Sequence, residues 1–274
     1  MTDLNRESVD DVFADPDLVR HLREELAAAR ETEDFNMQLA SRVHRSLLPS
    51  PIRHPRIDVD VRYSPVETLS GDYCQVRFPD PSSCYVTMCQ VRGPGVAPAL
   101  LATRVSSEVR HLILDCLRPA EIVRSLNEFI YDHFHGANMS LSFLAAQIDL
   151  DHKTIIYSGA GNATVLHLRT PAGVVGRLES QNKVIGLQKE CLGKEPERTR
   201  SLDAGDRLLF FTGALPQSID ATDERSGKHQ LEQLATDAVS SGLFDMADKI
   251  LDQVSQHHDG PPKKGTTLID AEIK

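Results

Sequence analysis

The sequence predicts an α+β fold in which antiparallel β-sheets are covered by helices. Three features support this class: short apolar strands follow one another through tight turns, two pairs of amphipathic helices interrupt the strands, and a long helical segment precedes them. Strands joined by hairpins pair in the antiparallel sense, whereas a doubly wound parallel sheet needs a crossover helix between its strands. We therefore predict antiparallel sheets with helices packed on them.

The size and charge of the chain limit what it can do. Its 274 residues, 40% of them hydrophobic, can bury one substantial core and leave one helix appended to it. The 40 acidic and 30 basic residues give a net charge of −10. This charge argues against a protein that binds the phosphate backbone of nucleic acids.

Apolar runs and cysteines exclude further classes. No apolar run approaches the roughly 20 residues that span a bilayer, and the first residues lack the apolar stretch of a signal peptide. We therefore expect a cytoplasmic protein with no membrane partner. The five cysteines contain no C-x-x-C pair, so they indicate neither a disulfide framework nor a thiolate zinc site.

The chain before the first strand divides into a flexible tail, residues 1–14, and a helical segment, residues 15–49. Asp15 and Pro16 form a helix start, because the Asp oxygen caps free amides and proline suits the first helical position. The segment carries an apolar stripe and ends before Pro49. The stripe consists of Leu18, Leu22, Leu26 and Ala29 and resumes at Met37, Ala40, Val43 and Leu47.

A helix that continued to Leu48 would be about 50 Å long, which is more than its own domain needs. The stripe therefore predicts a coiled coil through residues 16–48, acting as a homodimer interface or a signalling linker. A helix lying on the domain surface is the alternative.

The remaining chain, residues 50–274, is predicted to form one domain. It opens with a half-buried strand at 57–63, where apolar and charged side chains alternate. A turn at 70–73 follows. Later strands are predicted at 84–91, 142–149, 154–158, 163–169, 173–178, 206–212 and 266–273, and helices at 95–117, 119–134, 228–240 and 244–257.

Short motifs in this order resemble those of the SpoIIE-like branch of the metal-dependent Ser/Thr protein phosphatases, the PPM superfamily. They are L-L-P at 47–49, Y-S-P at 63–65, G-D-Y at 71–73, Q-V-R-G-P-G at 90–95, S-G-A-G-N at 158–162, A-G-D at 204–206, F-T-G-A at 211–214 and K-G-T-T-L at 264–268. The resemblance implies an α-β-β-α sandwich, in which helix pairs flank two antiparallel sheets. It also implies a regulatory helix before the domain.

The departures from the family pattern concern its metal site. The resemblance implies that carboxylates from these loops hold two Mn²⁺ or Mg²⁺ ions, which activate a bridging water. Here only Asp72 keeps a carboxylate. The other positions are Gln75, Gln90, Gly213, Lys264 and Gly265. The loss of these carboxylates and the added cation of Lys264 shift the local charge by about five units or more, so we expect no metal, no cofactor and no catalytic residue here.

Two cations near this pocket suggest other uses for it. Arg92 or Lys264 could act as a counter-ion to Asp72 in place of the metal. The two cations could instead capture a phosphate or a phosphoserine without cleaving it, or they could simply point into water.

Two functions remain open from the sequence. The first is a pseudophosphatase, a regulatory module that binds partner proteins of the kind used in bacterial partner-switching pathways. The second is a protein-serine/threonine phosphatase with weak activity through Asp72 and unconventional ligands. The charge argument favours the pseudophosphatase.

Overall fold

The computed structural model describes residues 16–64, 69–93, 95–137, 139–220, 222–239, 243–257 and 266–274. The chain forms two compact units, Met1–Val43 and His44–Lys274. The predicted flexible tail and the positions of Lys264 and Gly265 lie outside the described residues.

The first helix, α1 (Pro16–Arg45), is continuous through the predicted helical segment and ends three residues earlier than the predicted limit at Leu48. A turn follows it, in which the amide of Leu48 donates to the carbonyl of Arg45 at 3.1 Å. The predicted stripe separates into two faces. Val43 is 64% exposed, whereas Met37 and Ala40 are half-buried.

Eleven strands within the described residues form two antiparallel sheets. The first sheet has the order β1-β2-β11-β10-β7-β8 and the second β3-β4-β5-β6-β9. The strands are β1 (Ile52–His54), β2 (Ile57–Ser64), β3 (Asp72–Asp80), β4 (Ser83–Arg92), β5 (Ser140–Asp149), β6 (Thr154–Ala160), β7 (Thr164–Arg169), β8 (Val174–Glu179), β9 (Arg198–Ser201), β10 (Arg207–Phe211) and β11 (Thr266–Ile273).

Helices cover the outer face of each sheet. α2 (Ala97–Leu114) and α3 (Pro119–Phe134) pack on the second sheet, and the first sheet is covered by α4 (Ala214–Ile219), α5 (Glu224–Ala238) and α6 (Leu243–His257). A third apolar cluster, which includes Val59, Val86, Leu144 and Phe210, fills the space between the sheets. The architecture is the predicted α-β-β-α sandwich, so the fold class is confirmed.

The sandwich places several strand ends side by side. Asp72 begins β3, Gln90 and Arg92 lie at the end of β4, and Phe211 ends β10. These are the positions that the sequence motifs single out. None of the described helices is long and apolar enough to cross a membrane.

Candidate functional site

The site begins where β3 and β4 pair. Asp72 lies directly opposite Gln90 in this antiparallel ladder, so both side chains point to the same face of the sheet. The glycine before Asp72 is required by close packing, because a Cβ atom on Gly71 would lie 2.3 Å from the carbonyl oxygen of Val91. The G-D-Y motif therefore brings two strands close enough for the aspartate to face the glutamine.

Asp72 is buried and already has protein partners. It forms side-chain hydrogen bonds with Thr212 and Gln90, and its side chain is only 3% exposed. Burial raises the pKa of the Asp72 carboxyl to about 7, and the hydrogen bonds with Thr212 and Gln90 partly oppose this rise. One of its oxygens, Oδ2, has no partner among the described residues. Near neutral pH this carboxyl therefore carries only part of a negative charge.

Thr212 is fixed by the neighbouring strand. The amide of Thr212 donates to the carbonyl of Thr267 at 3.1 Å, and the amide of Thr267 donates to the hydroxyl of Thr212 at 3.3 Å. This leaves the hydroxyl proton for the Asp72 carboxylate. Thr212 lies inside the F-T-G-A motif, but sequence reasoning gave it no role.

A second group of polar residues holds the backbone of Asp72. The amide of Asp72 donates to the Ser70 hydroxyl at 3.2 Å, and Ser70 lies 3.0 Å from the Tyr63 hydroxyl. His44, in the last turn of α1, is buried and hydrogen-bonds the backbone of Asp72. Burial lowers the pKa of His44, and the hydrogen bond to Asp72 partly offsets this. No sequence motif indicated His44, since nothing local marks its distant partner.

Gln90 and Arg92 reach the space in front of Gly213. A Cβ atom on Gly213 would lie 3.2 Å from Oε1 of Gln90 and 4.0 Å from Nη2 of Arg92. Gln90, Ser142, Thr212 and Gly213 line a cavity of about 10 Å³ there. This is on the scale of one water molecule.

Gln75 is not part of this group. It lies three residues beyond Asp72 and therefore on the opposite face of β3. Its amide nitrogen donates to the carbonyl and the hydroxyl oxygens of Ser106 in α2, at 2.6 and 2.7 Å. The structure thus brings together Asp72, Gln90 and Gly213 but separates Gln75 from them.

The predicted counter-ion pair with Arg92 does not form. Among the described residues no ion pair joins Arg92 to Asp72, whose side-chain partners are Thr212 and Gln90, and the Arg92 side chain is exposed. Arg92 lies two residues beyond Gln90 at the end of β4, so its guanidinium reaches the mouth of the cavity rather than the buried carboxyl. The counter-ion role of Lys264 concerns a residue outside the described part.

The family model of Stage II sporulation protein E (SpoIIE) matches residues 80–274, which is well over half of the chain. The chain belongs to the SpoIIE family.

Two relatives from Bacillus subtilis (strain 168) are similar in sequence to this SpoIIE-family chain. It is 20% identical to phosphoserine phosphatase RsbU over 234 residues, which cover 85% of the chain and 68% of RsbU. It is 22% identical to phosphoserine phosphatase RsbP over 229 residues, which cover 81% of the chain and 54% of RsbP. The chain therefore spans only part of each relative.

Solved structures share the fold. The SiaA-PP2C domain of Pseudomonas aeruginosa matches with a TM-score of 0.73 and 17% identity, covering 90% of this chain and 100% of that domain. The RsbU and RsbW domains of Rv1364c from Mycobacterium tuberculosis match with a TM-score of 0.69 and 19% identity, covering 82% of this chain and 61% of that one. At these identities the likeness concerns the fold.

The residues of this site do not fit the two divalent ions that the resemblance implies. Among the described residues no group of three or more His, Cys, Asp or Glu side chains is placed to hold a metal. Hard divalent cations need several anionic oxygen ligands. Asp72 offers one carboxyl, which Thr212 and Gln90 already engage.

Proposed function

We propose that this chain is a catalytically inactive phosphatase-like module that regulates other proteins by binding them. The observation that carries the proposal is the state of Asp72. It is the one carboxyl left among the positions at which the family resemblance implies metal ligands, and it is buried and hydrogen-bonded by Thr212 and Gln90.

The charges of the site support this proposal. Two divalent ions bring a charge of +4, which a site must balance with several carboxylates. Gln90, directly opposite Asp72, supplies an amide, and Gly213, beside Gln90, supplies no side chain.

The relatives suggest the kind of system in which such a module works. RsbU and RsbP are phosphoserine phosphatases, and the Mycobacterium tuberculosis structure contains RsbU and RsbW domains. We infer that this chain acts with regulatory protein partners in bacterial partner switching or related signalling. We also propose that it forms a homodimer through residues 16–48.

Metal binding and hydrolysis test the proposal together. Titration of Mn²⁺ into the protein should give no saturable heat, and a phosphoserine peptide with Mn²⁺ should be hydrolysed only at the background rate. Restoring the carboxylates with Gln90→Asp, Gly213→Asp, Lys264→Asp and Gly265→Asp in one variant should create Mn²⁺ binding. Gly213 has φ −60°, which an aspartate adopts without strain.

Gln75→Asp is the matched control. Because Gln75 faces Ser106, a carboxylate there should add no Mn²⁺ affinity. Hydrolysis by the unaltered protein at ordinary phosphatase turnover, lost in Asp72→Ala, would contradict the proposal. That result would establish the alternative, a metal-dependent Ser/Thr protein phosphatase with unconventional ligands.

A further inference from the structure

The exposed apolar side chains of α1 follow a seven-residue pattern. Its large exposed apolar residues, within the described helix, are Leu18, Leu22, Leu26, Phe35, Leu39 and Val43. Leu39 lies 21 residues after Leu18, and Val43 lies 21 residues after Leu22. This distance is three heptads, so the two pairs fall on the same two positions of a coiled-coil repeat.

The pattern assigns a heptad register to the whole helix. With Leu18 and Leu39 at d, positions a are Leu22, Ala29, Asn36 and Val43, and the remaining d positions are Glu25 and Thr32. Leu26 falls at e and Phe35 at g, where they flank the seam. All six exposed apolar residues therefore lie on one side of the helix, with Leu22 46% and Val43 64% exposed.

The other side of the helix has a different environment near its C-terminal end. Ser41 and His44, at positions f and b, are buried, and Met37 at b is half-buried. The a and d positions of the same turns, Leu39 and Val43, remain exposed. The seam is exposed along the whole helix of about 45 Å, and from Arg20 to Asn36 the other faces of α1 are exposed as well, so the seam is distinguished there by its apolar spacing.

Polar residues at the a and d positions of α1 indicate the orientation and register in which two such helices would pair. An asparagine at a single a position pairs with its own copy across a parallel dimer and fixes the register, while leucine at d with valine at a favours two strands. Asn36, Leu39 and Val43 occupy these positions. Glu25 at d would meet its copy, which opposes pairing at that position, and the ring of His21 lies 3.4 Å from Glu25 within the same helix.

We propose that α1 pairs with α1 of a second copy as a parallel, in-register, two-stranded coiled coil whose register is fixed by Asn36. This inference rests on the homodimer proposed above and adds the orientation and register of the two helices. Each seam residue then meets its own copy.

Disulfide cross-linking of the full chain tests orientation. Cys116→Ser is the background, because Cys116 is exposed and the other four cysteines are buried. In a parallel, in-register pair, Leu22→Cys and Leu39→Cys should each form a covalent dimer alone. A mixture of the two variants should add no species that links residue 22 to residue 39. Ala27→Cys, at the outward f position, is the matched control and should not cross-link.

The outcomes separate the inference from the proposal on which it rests. A light-scattering mass near 30.3 kDa would contradict both, since that is the mass of one chain. A mass near twice that value, with cross-linking only in the mixture of Leu22→Cys and Leu39→Cys, would show an antiparallel pair; it would overturn the inference and leave the dimer standing.

A second variant tests the role of Asn36. Asn36→Leu should raise the melting temperature of the helix pair but relax its specificity, so that the mixture begins to cross-link residue 22 to residue 39 or the mass exceeds that of a dimer. An unchanged cross-linking pattern together with an unchanged mass would overturn the assignment of register to Asn36.

Discussion

Two carboxyl groups face each other beneath α6, outside the candidate site. Asp60 and Asp270 are directly opposite in the β2–β11 ladder, and both are 0% exposed. Arg62 pairs with Asp60 and reaches Asp248 of α6 at 2.7 Å, and Arg207 lies 3.6 Å from Asp270. Burial raises the pKa of Asp270 to about 8, although Arg207 opposes the rise.

This carboxyl makes stability depend on pH. Asp270 binds its proton more tightly in the folded chain than in the unfolded chain, where its pKa is near 4. The free energy of unfolding should therefore fall between about pH 4 and pH 8, by up to about 1.4 kcal/mol per pH unit. Asp270→Asn should make this slope shallower in denaturant titrations, most clearly between pH 7 and 8, because buried Asp72, with its pKa raised to about 7, adds to the slope at lower pH. An equal slope in Asp270→Asn and in the exposed control Asp252→Asn would contradict it.

The sequence predicted the residues at the centre of the candidate site better than the residues around them. Asp72, Gln90 and Gly213 lie near one another, because the start of β3 and the ends of β4 and β10 fall at the same edge of the sandwich. Gln75 was misplaced in that group, since a step of three residues along a strand reverses the side chain. His44 could not be found, because its contact with Asp72 depends on tertiary packing.

Among the elements, long periodic segments were predicted and short or uniform ones were not. α3 begins and ends as predicted at 119 and 134. β3 was not predicted: its first two residues fell within the turn predicted at 70–73, and residues 74–80 were assigned to no element, since its first five residues show no alternation. β9 is exposed throughout, and α4 has six residues, so neither carries a periodic signal.

The loop between β8 and β9 depends on a buried amide. Nδ2 of Asn182 lies within 3.0 Å of the Ser158 hydroxyl and of the carbonyls of Gly159 and Pro196, and the amide of Gly193 donates to its Oδ1 at 2.9 Å. This loop runs beside β5, because Ile185 pairs with Leu141 next to the cavity residue Ser142.

Removing this amide should loosen the loop. Asn182→Ala leaves buried backbone groups without partners and should lower the free energy of unfolding by about 2–4 kcal/mol in urea titrations. Gln188→Ala removes an exposed side-chain amide of the same loop and should change it by no more than about 0.5 kcal/mol. Comparable losses in both variants would show that the loop does not rely on Asn182.

At the scale of the whole molecule, the net charge opposes the binding of anions. The chain carries −10, so a phosphorylated partner would meet repulsion over most of the surface. Binding of a phosphate at this cavity would therefore depend on nearby cations. One of them is Arg92, which lies beside Gly213. The composition of the sequence gives the net charge, but the position of each cation is known only from the folded structure.

A thermal shift measures such capture. A phosphoserine peptide at about ten times its Kd should raise the melting temperature by about 3 °C, and Arg92→Ala should remove most of the shift. Arg200→Ala, an exposed arginine on β9, should leave it unchanged. If phosphate and phosphopeptide both fail to move the melting temperature of the unaltered protein, the hypothesis of phosphate capture is wrong.

The hydrogen bonds of Thr212 and Gln90 to Asp72 have a consequence for how the domain keeps its shape. A protein whose strand ends are tied together by ions softens when chelators or scarcity remove them. Here the chain ties these strand ends with its own hydroxyl and amide groups. Its folded structure should therefore not depend on the concentration of Mn²⁺ or Mg²⁺ in the cell. The surface that it offers to a partner should stay the same when these ions are scarce.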